Sequence, residues 1–360
     1  MTDTQLPRIP ALVVGTGFGC RIHVPALRAA GFEIVGLVGT NPDRLARRAE
    51  AAGVSAVFTD LDEAIAKTGA RVVTVATPPA THAALVMKAL EHGCHVICEK
   101  PMAFNAAEGQ AMLDAADRAG VIHLIGNEFR WQPDRALIGR AIAQGLIGAP
   151  RFLTLSQYLP FAADPEARLP RWWFDADAGG GWLGASGSHL IDQVRAWLGD
   201  FASLSAALPI VSDRQGVAED SYVLRFRTQN GVEGVIQQTA GAWGPSTSTW
   251  RVAGTKGTVW SDNGIVHVAD RDGVRELPVP DDLQLPPPPA AEASNSANRF
   301  SHLELGPYTR LCEALRAGID GREIASPVPL PTFRDGLACL RVMDAIRASA
   351  RQGGALVSPD

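Results

Sequence analysis

Hydrophobic and polar positions follow two different rhythms along the chain, and the change comes near residue 145. Before it, short apolar runs occupy Ile9–Val14, Ile34–Val38, Val72–Ala76, His95–Cys98 and Val121–Ile125. Between them lie Ala-, Arg- and Glu-rich stretches of helical period, at Arg21–Ala30, Asp43–Ala52, Leu61–Lys67, Ala80–His92 and Ala106–Ala119. Strands that are apolar throughout, rather than alternating, are buried on both faces. Strand–helix repetition therefore predicts a doubly wound parallel sheet of the Rossmann type over residues 1–126. Pro25 falls inside the first helical stretch, where it removes a donor and clashes with the preceding turn, so a kinked or split helix is expected there.

In the second half, strand-like runs follow closely at Arg151–Tyr158, Ser203–Val211, Ser221–Thr228, Val232–Thr239, Thr249–Ala253, Gly257–Trp260 and Ile265–Ala269. Turn signals such as Gln229-Asn230-Gly231 and Asp262-Asn263-Gly264 separate several of them, which predicts an open, mainly antiparallel sheet. A proline-rich segment, Leu285–Asn298, reads as an extended surface loop, and helices are expected at Leu303–Ala317 and Arg334–Arg351. The second domain, over residues 127–360, is thus α+β with C-terminal helices.

Composition narrows the function classes. The chain has 360 residues, enough for two cores, and a formal net charge of -5 without a basic face, so no nucleic-acid partner is expected. No run of about 18 apolar residues occurs and no secretory signal opens the sequence, which predicts a protein without membrane attachment. Five cysteines at irregular spacing read as reduced thiols in the cytoplasm. Cys94, Cys98, His92 and His95 straddle a helix end and a strand and do not converge on a tetrahedral site, so no metal is expected.

The strongest local signal is Val13-Val14-Gly15-Thr16-Gly17-Phe18-Gly19, a glycine turn between the first strand and a helix. One glycine permits the tight turn, the next lets backbone approach a pyrophosphate, and the helix N-terminus offers free N–H groups to the anion. The acid expected after the second strand for an adenosine ribose is missing: Gly39 stands there, followed by Thr40, Asn41 and Arg44. These residues can bond and neutralise a 2′-phosphate, so NADP is expected ahead of NAD.

Two further segments carry chemistry. Cys98-Glu99-Lys100-Pro101 follows a strand end, on the sheet edge where ligands bind in such folds. Gly179-Gly180-Gly181-Trp182 leads into Ser188-His189-Leu190-Ile191-Asp192, which places His189 and Asp192 on one helix face. With Ala76-Thr77-Pro78-Pro79 and His82, and with Gly254-Thr255-Lys256-Gly257-Thr258 and the closing Asp344-Ala345-Ile346, the whole chain resembles the Gfo/Idh/MocA oxidoreductases, the family of glucose–fructose oxidoreductase and inositol dehydrogenase.

The resemblance implies oxidation or reduction of a secondary alcohol or ketone on a sugar or polyol. It also implies a homodimer or homotetramer assembled through the open sheet. It makes Lys100 and His189 the catalytic pair and Asp192 a substrate-contacting acid. Arg130, Tyr158 and Trp172 are further candidates for the pocket wall, and Ala76, Thr77, Pro78, His82, Glu99 and Lys100 for the cofactor. Many members carry an aspartate four residues before the histidine, where this chain has Ala185, so a shorter proton relay is expected. Proton transfer is served best by a group titrating near neutrality, which assigns acid–base work to His189 and polarisation of the oxygen to Lys100. Two other readings share this pattern: a dinucleotide-binding regulator that does no chemistry, and a glycoside hydrolase that uses bound NAD.

Overall fold

A computed structural model of the protein describes residues 7–286, 301–324 and 326–359. The proline-rich loop expected at Leu285–Asn298 lies outside the described residues, apart from its first two. The first domain holds strands β1 (Ile9–Val14), β2 (Phe32–Val38), β3 (Val57–Phe58), β4 (Val72–Val75), β5 (His95–Cys98) and β6 (His123–Ile125). All pair in parallel, in the order β3-β2-β1-β4-β5-β6. The order reverses between β1 and β4, which opens a crevice at the carboxyl ends of the strands. Helices α1 (Val24–Ala29), α2 (Pro42–Ala51), α3 (Leu61–Thr68), α4 (His82–Glu91) and α5 (Ala106–Ala119) connect the strands. The helix containing Pro25 is split as expected: a π-helical turn, Gly19–His23, precedes α1, whose first turn holds the proline where no N–H is needed.

The second domain begins with α6 (Pro133–Ala143), β7 (Pro150–Tyr158), α7 (Ser188–Leu198), β8 (Phe201–Ala207), β9 (Ser221–Thr228) and β10 (Glu233–Thr239). β11 (Thr247–Gly254), β12 (Gly257–Asp262), β13 (Ile265–Asp270) and β14 (Gly273–Leu277) complete a sheet of order β14-β13-β12-β11-β7-β10-β9-β8. Only β7 and β10 run parallel within it. Side chains alternate cleanly: on β9, Tyr222, Leu224 and Phe226 are buried while Val223, Arg225 and Arg227 face outward. One face of the sheet packs on helices and the other is open.

Helices α8 (Ser301–Ile319) and α9 (Phe333–Arg351) return to the first domain. Arg316 of α8 donates to the carbonyls of Gly31 and Pro7, at 2.7 and 2.8 Å. Just before α9, Ile125 N–H donates to Pro331 at 2.8 Å, and Thr332 forms a β-bridge with Leu124. Phe333, Leu337 and Leu340 then enter the same core as Met112, Leu113 and Ile125. The division at residue 127 therefore describes the order of the sequence, while the last two helices pack against the dinucleotide-binding half.

Candidate active site

The glycine turn is shaped by three different contacts. Gly15 has φ +105°, its N–H donates to Val38 at 2.9 Å, and a Cβ there would lie 2.4 Å from the Ala76 carbonyl oxygen. Gly19 is packed against Val13, 2.8 Å from where its Cβ would stand, which lets the helical turn sit on β1. At Gly17 nothing lies within 4 Å of an added Cβ, so backbone there faces open space. A pyrophosphate fits this cradle: tight turn, open approach and close helix–strand packing are the three properties it requires. Phe18 does not face that space; its ring packs edge-on against His23 and Tyr308, at 5.5 and 6.0 Å between centroids.

Beyond β2, Gly39 lies beneath Thr16, whose Cγ2 would be 3.1 Å from an added Cβ. Asn41 caps α2, accepting from Arg44 N–H at 2.9 Å, so its side-chain oxygen is engaged in the helix terminus. Thr40 and Arg44 are exposed beside it. On the other side of the crevice, His82 is fully buried and braces two loops: one ring nitrogen lies 2.9 Å from the Pro101 carbonyl and the other 2.7 Å from that of Thr77. Burial lowers its pKa despite those carbonyls. Ala76 and Thr77 are half-buried and Pro78 exposed along the same rim.

The chemistry-bearing residues meet where the two domains join. Glu99 and Lys100 follow β5 directly, and the Lys100 ammonium donates to the Ala185 carbonyl at 2.8 Å. Ala185 belongs to a π-helical turn, Leu183–Gly187, that runs straight into α7, so His189 follows one turn later on a continuous helix. His189 is buried and its Nδ1 has no hydrogen-bond partner. Burial, reinforced by the charges of Lys100 and Arg135, puts its pKa well below the usual histidine value. Burial works against the Glu99 carboxylate, yet a 3.1 Å contact from His23 Nε2 and the neighbouring cations outweigh it and lower its pKa.

Three further expected residues are placed differently from the sequence reading. Asp192 and Arg130 are both buried and bind each other in a bidentate pair, at 2.7 and 2.5 Å, while Arg130 also reaches Asp335 at 3.0 Å. Each oxygen of Asp192 thereby accepts one bond from Arg130, so the pair serves first to tie their elements together. Tyr158 points to the open face of its sheet, where Gln237 donates to its hydroxyl at 2.9 Å; its buried neighbour Gln157 takes the inward position. The pleat of β7 carries Tyr158 away from Lys100. Trp172 does approach the site, its ring 3.9 Å from where a Cβ on Gly184 would stand.

Sequence reasoning misses a group of side chains beneath Lys100. His23 stacks on Tyr308 at 4.5 Å, and Glu304, four residues before Tyr308 on α8, pairs with Arg21 at 2.7 Å. Glu128 is buried with its Oε2 unpartnered; burial, and then the Glu99 charge, push its pKa well above the carboxylate range. No local pattern marks these residues, because α8 is distant in sequence and Glu128 sits in a short 3₁₀ turn, Glu128–Trp131.

Comparison with known proteins agrees with this architecture. Residues 9–127 match a family described as "Oxidoreductase family, NAD-binding Rossmann fold", and residues 136–260 match the "GFO/IDH/MocA C-terminal domain". The chain belongs to the Gfo/Idh/MocA oxidoreductases. Among members of the Gfo/Idh/MocA family, D-apiose dehydrogenase of Paraburkholderia graminis is 29% identical over 98% of this chain and 90% of its own. Levoglucosan dehydrogenase of Pseudarthrobacter phenanthrenivorans is 30% identical over 61% of this chain and 62% of its own. A solved structure of levoglucosan dehydrogenase with NADH and levoglucosan superposes with a TM-score of 0.81, at 26% identity, covering 98% of this chain and 99% of that one. The chain is thus an oxidoreductase with an NAD-binding domain. The expected preference for NADP gains no support: the matched family is described as NAD-binding and the superposed levoglucosan dehydrogenase carries NADH. Among the described residues no helix is long and apolar enough to cross a membrane.

Proposed function

We propose that the chain is an NAD(H)-dependent dehydrogenase that transfers hydride at a secondary alcohol or ketone carbon of a small sugar or polyol. The observation that carries this reading is the 2.8 Å bond from Lys100 to the Ala185 carbonyl, which brings the charged end of β5 to the start of the helix bearing His189. An ammonium has three donors, so two remain for the substrate oxygen after Ala185 takes one. Lys100 therefore orients that oxygen and stabilises negative charge on it. His189, held neutral, accepts the hydroxyl proton as the carbinol is oxidised and returns it in the reverse direction. The glycine turn would hold the dinucleotide, and its nicotinamide would supply or take up the hydride. With Ala185 in place of an acid, protons pass between His189 and the substrate without a side-chain partner behind the ring.

The site's surroundings favour a compact substrate. Phe104 and Pro79 of the first domain lie 3.3 and 3.9 Å from where a Cβ on Gly179 would stand, so the glycine-rich lead of α7 closes against the dinucleotide-binding half. NAD(H) is preferred because relatives of known structure carry NADH and Asn41 serves as a cap. The five cysteines are all free thiols, which suits a reducing cytoplasm. The open sheet face, with Phe152, Tyr158 and Val223 exposed among arginines, is the surface through which copies of the chain assemble as dimers or tetramers; a monomer by light scattering at micromolar concentration would exclude this.

Two measurements test the enzymatic reading. Tryptophan fluorescence titration should show tighter binding of NADH than of NADPH. Absorbance at 340 nm, with NAD⁺ and a panel including D-apiose, levoglucosan and polyols, should rise for at least one compound. Lys100→Met should abolish that rise while NADH still binds; turnover that survives the substitution, or tighter binding of NADPH, overturns the corresponding part of the proposal.

A further inference from the structure

His189 has a second cation near it besides Lys100, and that cation forms no ion pair among the described residues. Arg135, in α6, is held between two aromatic rings: its guanidinium carbon lies 4.9 Å from the centroid of Phe129 and 4.6 Å from that of Trp250. Its Nη1 is buried without a hydrogen-bond partner, and its side chain makes no ion pair among the described residues. Phe129 in turn packs on the imidazole of His189, with ring centroids 4.5 Å apart. Cation, ring and imidazole are thus in contact one after another. Arginine remains protonated even when buried, so the charge persists at any pH the fold survives.

We propose that Arg135 is a positioning residue that holds His189 in its neutral form by presenting a positive charge, without an ion-pair partner, beside the Phe129 ring that packs on the imidazole. The proposal rests on the assignment of His189 as the proton acceptor in the reading above, and adds to it the group that sets its readiness.

The other ionisable groups around His189 offset this charge only in part. Asp192, on the same helix face, is neutralised by its bidentate pair with Arg130, which Asp335 of α9 completes. Glu128, from the turn that carries Phe129, is kept protonated by burial. Tyr222 of β9, lying against Gly187, is likewise kept neutral by burial. Asp134, beside Arg135, accepts a 2.8 Å bond from Ser261 and forms no ion pair with the guanidinium, acting on it only through space. Lys100 adds a second positive charge from the other domain. Two cations close by disfavour a third charge on the imidazole. An aromatic sandwich suits this purpose better than a carboxylate partner, because rings hold the guanidinium in place without cancelling its field beyond them.

The experiment follows the protonation of His189 itself, with no need for a substrate. Histidine-labelled protein carrying bound NADH is titrated by NMR, and His189→Gln assigns the signal among the eight histidines. Wild-type His189 should remain neutral to a pH below that of an exposed histidine. In Arg135→Met, whose straight apolar chain fills the slot between the rings, protonation should begin about half to one pH unit higher. In Arg135→Lys, which keeps the charge, it should stay at the wild-type position. Should Arg135→Met not fold, Arg135→Gln is read in its place, and the wild-type titration decides by itself whether His189 is held neutral at all. A wild-type His189 that titrates like an exposed histidine overturns the proposal. So does an unchanged onset in the neutral variant, or an equal shift in Met and Lys variants, which would indicate packing rather than charge. If the shifts appear but His189→Gln turns substrate over at the wild-type rate, it is the catalytic assignment that fails, and the electrostatic one stands.

Discussion

At Gly15 and Gly17 a single methyl group has opposite consequences. In Gly15→Ala the new carbon would fall 2.4 Å from a backbone oxygen at a φ of +105°, so stability should drop by about 1–3 kcal/mol in urea denaturation and NADH binding should be lost. In Gly17→Ala the methyl meets nothing, so unfolding should change by less than about 0.5 kcal/mol while NADH affinity falls, because the methyl occupies the approach of the diphosphate. Glu128 gives a second prediction. Its carboxyl binds a proton more tightly when folded than when unfolded, so it costs stability as pH rises above the unfolded value near about 4.3. Glu128→Gln removes that cost, and the variant should gain stability over wild type at pH 8 and not at pH 4; equal stability at both would show the carboxyl to be ionised in the fold. The glycine turn, Lys100 and His189 were legible in the sequence because local spacing and strand ends dictate where they go. Asp192 was not: helix spacing put it on the face of His189, but a distant Arg130 decides what its oxygens do.

The Arg130–Asp192 pair joins three elements, since it links the 3₁₀ turn after β6 to α7 and, through Asp335, to the start of α9. Removing one member of a buried pair strands the other charge, at a cost of about 3–5 kcal/mol. Asp192→Ala should therefore unfold at markedly lower urea, with Asp335 retaining part of the compensation, whereas a residue serving only the substrate would leave the urea midpoint unchanged. The elements themselves followed the hydrophobic pattern where one face, or neither, met water. They departed from it for physical reasons. In α6 three consecutive residues, Ala136, Leu137 and Ile138, are buried, so no helical stripe marks it. β3 has two residues, too few to show a period. β14 has four exposed residues of five, and reads as a polar turn. β8 was expected to reach Val211 but ends at Ala207, two residues before Pro209, which has no N–H to offer a ladder.

On the scale of the whole molecule, burial of imidazoles couples stability to pH. His82 and His189 are both buried, and both have folded pKa values below the unfolded value of about 6.5. The sign follows directly: below that pH the unfolded chain binds protons that the folded chain refuses. Stability should thus be full above about pH 6.5 and fall below it, by up to about 1.4 kcal/mol per pH unit for each group. Thermal unfolding of wild type and His82→Asn between pH 5 and 8 would show whether the slope diminishes in the variant; an unchanged slope excludes His82 as a contributor.

The way α9 seals the first core also has a temporal consequence. Phe333, Leu337 and Leu340 cover apolar side chains of α5 and β6 that were synthesised some two hundred residues earlier. While the chain is still growing on the ribosome, that surface has no cover, and the sheet that will grip the nucleotide lacks its outer neighbour. A chain cut upstream of Thr332 should accordingly leave that core open, and NADH titration of such a truncation should show binding lost along with stability.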